Sequence, residues 1–254
     1  MTQVSNPRPT PAASIPPRIL EVRQGILKSN DALARELRDQ FTQAGVFVVN
    51  VVSGPGAGKT ELLAKTFPVL RAQGRRVAAI VGDLATENDA RRLSASGAPA
   101  RQIITGTVCH LEAQMVRTAL EGWNLGELDY LFIENVGNLV CPASFDLGEH
   151  LRVLLFPVTE GEDKPLKYPT LINTADVIVI SKEDLADAVG FDRSLARRNL
   201  DEARPGAAVL EVSARSGRGL EAWVALLKAR RCAAVERKAE AEGSCFGEFP
   251  RFKS

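Results

Sequence analysis

Apolar runs of β type alternate along this chain with segments whose apolar residues recur every three or four positions. The strand-like runs are 46–52, 76–81, 102–105, 130–134, 153–158, 177–180 and 208–212, and helix-like periodicity covers 61–72, 111–120, 193–203 and 220–230. Strands that are apolar throughout, rather than on alternate residues, are those buried on both faces. Their alternation with helices predicts an α/β fold: a mostly parallel, doubly wound sheet of about seven strands with helices on both faces. Ligands of such sheets sit beyond the carboxyl ends of the strands. Ahead of the first strand, Ile19, Val22, Ile26, Leu33, Leu37 and Phe41 recur at helical spacings. They predict one or two amphipathic helices, with Asn30 and Asp31 available to cap a second.

The ends read differently. Residues 1–17 hold five prolines and little apolar content, which cannot offset the entropy of ordering a backbone. Residues 231–254 begin helix-like and end with Phe246, Phe249 and Phe252 among polar and turn residues, either docked on the domain or offered to a partner. The expected organisation is a tail over 1–17, one domain with its N-terminal helices over 18–230, and a second tail over 231–254.

Size and charge narrow the function. The 254 residues suffice for one large α/β domain. With 32 basic against 31 acidic side chains, the chain lacks the footprint of a nucleic-acid or anionic-membrane binder. Small molecules or proteins are the expected partners. No run reaches the roughly 18 apolar residues of a membrane span, and the N-terminal stretch has no signal-peptide core, so a cytoplasmic location is expected. Four cysteines in such a chain are expected to be thiols.

The first strand-like run leads into Ser53-Gly54-Pro55-Gly56-Ala57-Gly58-Lys59-Thr60, a P-loop in which Ser53 replaces the first glycine of the usual pattern. Backbone N–H groups of Gly54, Gly56, Ala57 and Gly58 can turn around phosphate oxygens, Lys59 supplies a charge to the β and γ phosphates, and the Thr60 hydroxyl suits Mg²⁺. The helix that opens there adds its dipole. Glu61, the next residue, falls near the α-phosphate.

A P-loop accepts ATP or GTP, and later strand ends bear on the choice. The run 177–180 leads into Ser181-Lys182-Glu183-Asp184, and the run 208–212 into Ser213-Ala214-Arg215; these resemble the Asn-Lys-x-Asp and Ser-Ala-Lys elements of G proteins. Guanine presents two neighbouring donors that one carboxylate, Asp184, can accept. The Lys182 stem can lie on the base plane, and the Ala214 N–H can reach O6. Ser181 stands where Asn braces the loop, which is expected to loosen the base pocket; the alternative is that Ser-Lys-Glu-Asp only caps a helix. Asp83 and Glu134 end two further strands, placed to hold the Mg²⁺ shell or an attacking water. Gly137 occupies the position of the Asp-x-x-Gly glycine that senses a γ-phosphate.

The chain has two histidines, and one follows a cysteine: Cys109-His110, after the run 102–105 and a Gly106-Thr107 turn, where a helix is expected to open. Cys141 lies four residues past Gly137. Two thiols and an imidazole suit Ni²⁺ or Zn²⁺ rather than Mg²⁺. Packing thiols and a helix-capping histidine are the alternative.

The segments SGPGAGKTELL, GDLATENDARRL, TGTVCHLEAQMV, FIENVGNLVCPASFDLGE, VTEGEDKPLKYP and SARSGRGLEAW together resemble the HypB family, the nickel-insertion GTPases of nickel–iron hydrogenase maturation. The resemblance spans about residues 19–230. It implies a P-loop GTPase of the signal-recognition and metallochaperone class that binds GTP, GDP and Mg²⁺, hydrolyses GTP slowly and dimerises with nucleotide. It also implies Ni²⁺ or Zn²⁺ at Cys109, His110 and Cys141, handed on with a HypA-type accessory protein to the hydrogenase large subunit. Departures are the absence of a Cys-x-x-Cys-Gly-Cys motif and of a His-rich tract, Ser181 for Asn, Glu61 for a hydroxyl residue, and Thr107-Val108 for Lys-Gly. They leave open a chaperone for another metalloenzyme, of the urease or cobalamin-dependent mutase type, or an assembly scaffold with little catalysis.

Overall fold

The computed structural model describes residues 17–241, with side chains within 24–236. The proline-rich N-terminal segment and Phe246, Phe249 and Phe252 lie outside those residues. Helix α1 (Pro17–Ala44) precedes β1 (Phe47–Ser53). Then follow α2 (Lys59–Ala72), β2 (Val77–Asp83), α3 (Asn88–Ala95), β3 (Ala100–Ile104), α4 (Ala113–Ala119) and β4 (Tyr130–Glu134). The second half runs β5 (Leu151–Pro157), α5 (Lys164–Lys167), α6 (Pro169–Thr174), β6 (Val177–Ser181), α7 (Arg193–Ala203), β7 (Ala208–Val212) and α8 (Leu220–Ala241).

All seven strands are parallel, in the order β3-β2-β4-β1-β5-β6-β7. Strand β1 sits between β4 and β5, paired Val51 to Glu134 and Ser53 to Leu155 at its carboxyl end. Each expected strand is present within two residues of its expected bounds, because the five central strands are buried almost without interruption. One face of the sheet packs on α2 and α8, where Phe67, Leu70, Trp223 and Leu227 meet Val49, Val51 and Phe132. The other face is covered by α1 and α4 on Val48, Ile80, Leu131 and Ile133, and by α6 and α7 on Leu154, Phe156, Ile178 and Ile180. Among the described residues no helix is long and apolar enough to cross a membrane.

Two expectations are corrected. Pro17–Ala44 form one unbroken helix, and Asn30, in its interior, does not cap a second. Its buried carboxamide is satisfied by tertiary partners instead, accepting from Ala113 N at 2.9 Å and donating to Asp146 O at 2.8 Å. Cys109-His110 does not open a helix either: α4 starts at Ala113, with extended Glu112 ahead of it, so the pair lies in a loop. Helix α8 is continuous past residue 230, and Arg231 donates to the Asp129 carboxylate at 3.0 Å.

Helix α2 carries the P-loop lysine and threonine, and a buried polar contact fixes it to α8. The indole N–H of fully buried Trp223 donates to Thr66 Oγ1 at 2.9 Å. Thr66→Val keeps the shape but leaves that donor unpaired, which costs about 1–3 kcal/mol. The urea midpoint of the variant should fall accordingly; an unshifted midpoint would mean the indole is satisfied another way.

Candidate functional site

The P-loop links the carboxyl end of β1 to the first turn of α2. Gly56 and Gly58 adopt φ of 69° and 97°, a region glycine enters without steric cost. Ser53 fits the place of the missing glycine: fully buried, its hydroxyl donates to Gly54 O at 2.7 Å and accepts from Lys59 Nζ at 3.1 Å. Burial lowers the Lys59 pKa, against the pull of Glu134, Asp89, Asp83 and Glu160. An ammonium so placed gains from an arriving polyphosphate, which supplies the counter-charge it lacks.

Thr60 Oγ1 donates to Glu134 Oε1 at 2.7 Å, while Glu134 Oε2 is buried without a partner. Burial pushes the Glu134 carboxyl up to about 7 although Lys59 and Thr60 pull it down. A threonine hydroxyl beside an orphaned buried acceptor fits a hydrated Mg²⁺, which when bound neutralises phosphate charge. Asp83 is engaged by its own loop, accepting from Ala85 N at 3.0 Å and Thr86 Oγ1 at 3.1 Å. Desolvation raises its pKa, but those hydrogen bonds outweigh it and hold the carboxyl below the usual range. Gly137 lies so close to the P-loop that a Cβ there would come 2.9 Å from Pro55 Cα.

At the far side of the P-loop a cavity of about 230 Å³ is lined by Ala57, Gly58, Glu61, Lys182, Asp184, Ala214 and Arg215, among others. Thus residues from three strand ends meet at one pocket. Lys182 has φ of 56°, the sole positive φ outside glycine among the described residues, a strained conformation found mostly at ligand sites. Asp184 Oδ1 accepts from buried Ser213 Oγ at 2.5 Å, which orients the carboxylate. The expectation that Ser181 would loosen this pocket meets a different geometry. Buried Ser181 donates from Oγ to Ala57 O at 2.8 Å, so a shorter side chain still braces the guanine-type loop on the P-loop. The charge of Glu61 is likewise met, by Arg92 at 2.5 Å.

Arg92 and Asp89 of α3, and Glu160, are site residues that sequence reasoning did not single out. A Cβ on Gly54 would come 2.8 Å from Glu160 Oε1, so this carboxylate lies over the P-loop. Burial raises its pKa against Lys164, Lys182 and Lys59. Glu160 belongs to VTEGEDKPLKYP and Arg92 to GDLATENDARRL. Both stretches were marked by resemblance, but no spacing rule assigns either residue a role.

The soft-donor set assembles on two loops. The ligating atoms of Cys109, His110 and Cys141 all lie within 4.8 Å of one another, each residue half-buried, and the two sulfurs stand 2.9 Å apart. His110 stacks on Phe145 with ring centroids 3.9 Å apart, and its Nδ1 has no hydrogen-bond partner. Glu112 Oε1 approaches Nε2 at 3.5 Å. Burial lowers the His110 pKa, with Glu112 acting the other way, which favours the neutral ring that a metal requires. Two thiols and an imidazole with a free Nδ1 fit a borderline-soft divalent ion.

A family model described as "CobW/HypB/UreG, nucleotide-binding domain" matches residues 47–211. The hydrogenase maturation factor HypB of Azotobacter vinelandii is 48% identical over 216 residues, covering 84% of this chain and 70% of that protein. The chain belongs to the HypB family. Its fold matches a crystal structure of HypB from Helicobacter pylori in complex with nickel, with TM-score 0.75 and 36% identity over 87% of this chain and 100% of that one. HypB from Archaeoglobus fulgidus matches at TM-score 0.74 and 36% identity, over 80% and 99%.

Against the HypB pattern, the Ser181 brace is the departure with a direct assay. Ser181→Ala removes one buried hydrogen bond, a loss of about 0.5–1.5 kcal/mol. GDP affinity should drop roughly two- to tenfold by titration calorimetry, and an unaltered affinity would show that the brace is idle.

Proposed function

We propose that this chain is a guanine-nucleotide-driven metallochaperone that binds Ni²⁺, or Zn²⁺, at Cys109, His110 and Cys141 and assists nickel insertion into the hydrogenase large subunit. Membership of the HypB family supports that role, and the nickel complex of the Helicobacter pylori relative supports the metal. The single observation that carries the reading is local. Cys141 lies seven residues past Glu134 on one segment, and Glu134 is bonded to the P-loop Thr60.

Guanine rather than adenine is supported by Asp184, oriented by Ser213 at the mouth of the base cavity. GTP is bound with Mg²⁺ at Thr60 and Glu134 and hydrolysed slowly to GDP and phosphate. Lys59 meets the β and γ phosphates, Gly137 contacts the γ-phosphate through its N–H, and Asp83 leaves its loop contacts when nucleotide orders that loop. Two chains form a nucleotide-dependent dimer in the cytoplasm. Leu84 after β2, Ile104 at the end of β3 and Val140 beside Cys141, 44%, 56% and 62% exposed, support such a partner surface. A HypA-type accessory protein receives or supplies the metal on the way to the hydrogenase.

Cys109→Ala should bind GDP as the unaltered protein does and lose most stoichiometric Ni²⁺ binding in equilibrium dialysis; full nickel binding by the variant would remove the metal reading. Single-turnover GTP incubation should release phosphate only when Mg²⁺ is supplied. Its failure to do so would leave a nucleotide-binding scaffold.

A further inference from the structure

Building on that nucleotide-switched reading, we propose that Asn135 is the positioning residue through which the nucleotide site acts on the metal site. Its carboxamide is buried, one residue after Glu134, and bridges three partners. Oδ1 accepts from Val136 N at 2.9 Å and from Leu111 N at 3.2 Å. Nδ2 donates to Asn50 Oδ1 at 3.4 Å. The Leu111 nitrogen belongs to the peptide unit that begins at the His110 carbonyl, so Asn135 holds the backbone adjoining one ligand and two residues from Cys109.

The other thiol hangs from the same segment. Asn138 Oδ1 accepts from Val140 N at 2.8 Å and Cys141 N at 3.4 Å, and Asn138 N donates to the P-loop Ser53 O at 2.8 Å. Asn135 N donates to Val51 O of β1 at 3.0 Å. Residues 135–138 are therefore stitched to β1 and the P-loop on one side and to both metal-binding loops on the other. The bond from Leu111 N to the Asn135 side chain joins the loop ahead of α4 to the segment after β4, beside the contact between the Cys109 and Cys141 sulfurs.

Asparagine suits this position chemically. One carbonyl oxygen takes two amide donors through its two lone pairs while the NH₂ donates to Asn50, so both ends of the carboxamide are engaged. Leu111 is itself fully buried, and its N–H has no access to water as a substitute partner. A displacement of Glu134 and Gly137 by nucleotide thus reaches the Cys109-His110 backbone through Asn135 and Cys141 through Asn138, and unequal movement of these two attachments changes the spacing of the thiols.

The test is nickel titration of the full chain with Mg²⁺ and either GDP or a non-hydrolysable GTP analogue. In the unaltered protein the two Kd values should differ at least about fivefold. Equal values there would overturn the switched reading itself, before the role of Asn135 is asked. Given that difference, Asn135→Ala should bring the ratio to within about twofold of one, while Asn135→Asp, which keeps the acceptor for Leu111 N, retains most of it. A ratio unchanged in Asn135→Ala, or lost in both variants, overturns the assignment. Should neither variant fold, amide exchange at Leu111 of the unaltered protein decides. Protection differing at least about fivefold between the nucleotide states supports the link, and equal protection overturns it.

Discussion

The segment from Glu134 to Cys141 is bound to the P-loop by backbone hydrogen bonds, and the functional arrangement depends on that attachment. Where β4 ends, its pairing with β1 continues: Asn135 N reaches Val51 O and Asn138 N reaches Ser53 O. Gly137 is pressed onto Pro55 where no side chain fits. The phosphate cradle and the loop that carries Cys141 are thus consecutive parts of one hydrogen-bonded edge. A change in the loop that holds phosphate is transmitted through short covalent and hydrogen-bonded paths rather than through soft side-chain contacts.

Buried polar groups extend this attachment under the sheet's edge. Asn50, in the middle of a strand that is otherwise apolar, donates to Glu149 Oε1 at 3.0 Å, and Glu149 pairs with buried Arg152 at 2.6 Å. Arg152 continues to Phe145 O, and Phe145 carries the ring on which His110 stacks. Such a network contributes little net stability, since desolvation offsets most of the attraction. Its physical effect is directional: each member satisfied in one geometry fixes where a loop begins. Asn30 of α1 serves the same end by accepting from Ala113 N at the start of α4. The N-terminal helix therefore helps set where the loop that carries Cys109 and His110 ends.

Legibility in the sequence follows the kind of interaction involved. Strands such as Val77–Asp83 and Val177–Ser181 were readable because burial on both faces demands uninterrupted apolar residues. Helix α7 was readable because its polar face is broken by Ala196 and Leu200 at helical spacing. Helix α3 was not, since among Asn88–Ala95 only Ala90 and Leu93 are buried, too few for a period to show. The P-loop and the thiol–imidazole set were visible as local patterns. The Ser181 brace, the Glu61–Arg92 pair and Glu160 over Gly54 depend on distances across the fold, which residue type does not encode. Asn30 is instructive, because an asparagine that caps a helix and one that serves a distant amide are the same residue in sequence.

The sulfur geometry gives the coupling a direction that can be reasoned from bond lengths. Two thiolates on one ion at about 2.3 Å stand roughly 3.3 Å apart at a right angle and 3.8 Å apart at the tetrahedral angle. The Cys109 and Cys141 sulfurs are 2.9 Å apart, so accommodating an ion moves the two sulfurs apart by several tenths of an ångström. Cys141 is held to Asn138, and Asn138 to Ser53, whose hydroxyl also holds Lys59. Any part of that movement taken up by the Cys141 backbone would load the serine that positions the P-loop lysine. Linkage requires the converse in equal measure: whatever a polyphosphate does to the Lys59–Ser53 contact alters the free energy of spreading the thiols by the same amount. A closed four-ligand site would resist such a change, whereas three half-buried donor groups divided between two loops would yield to it.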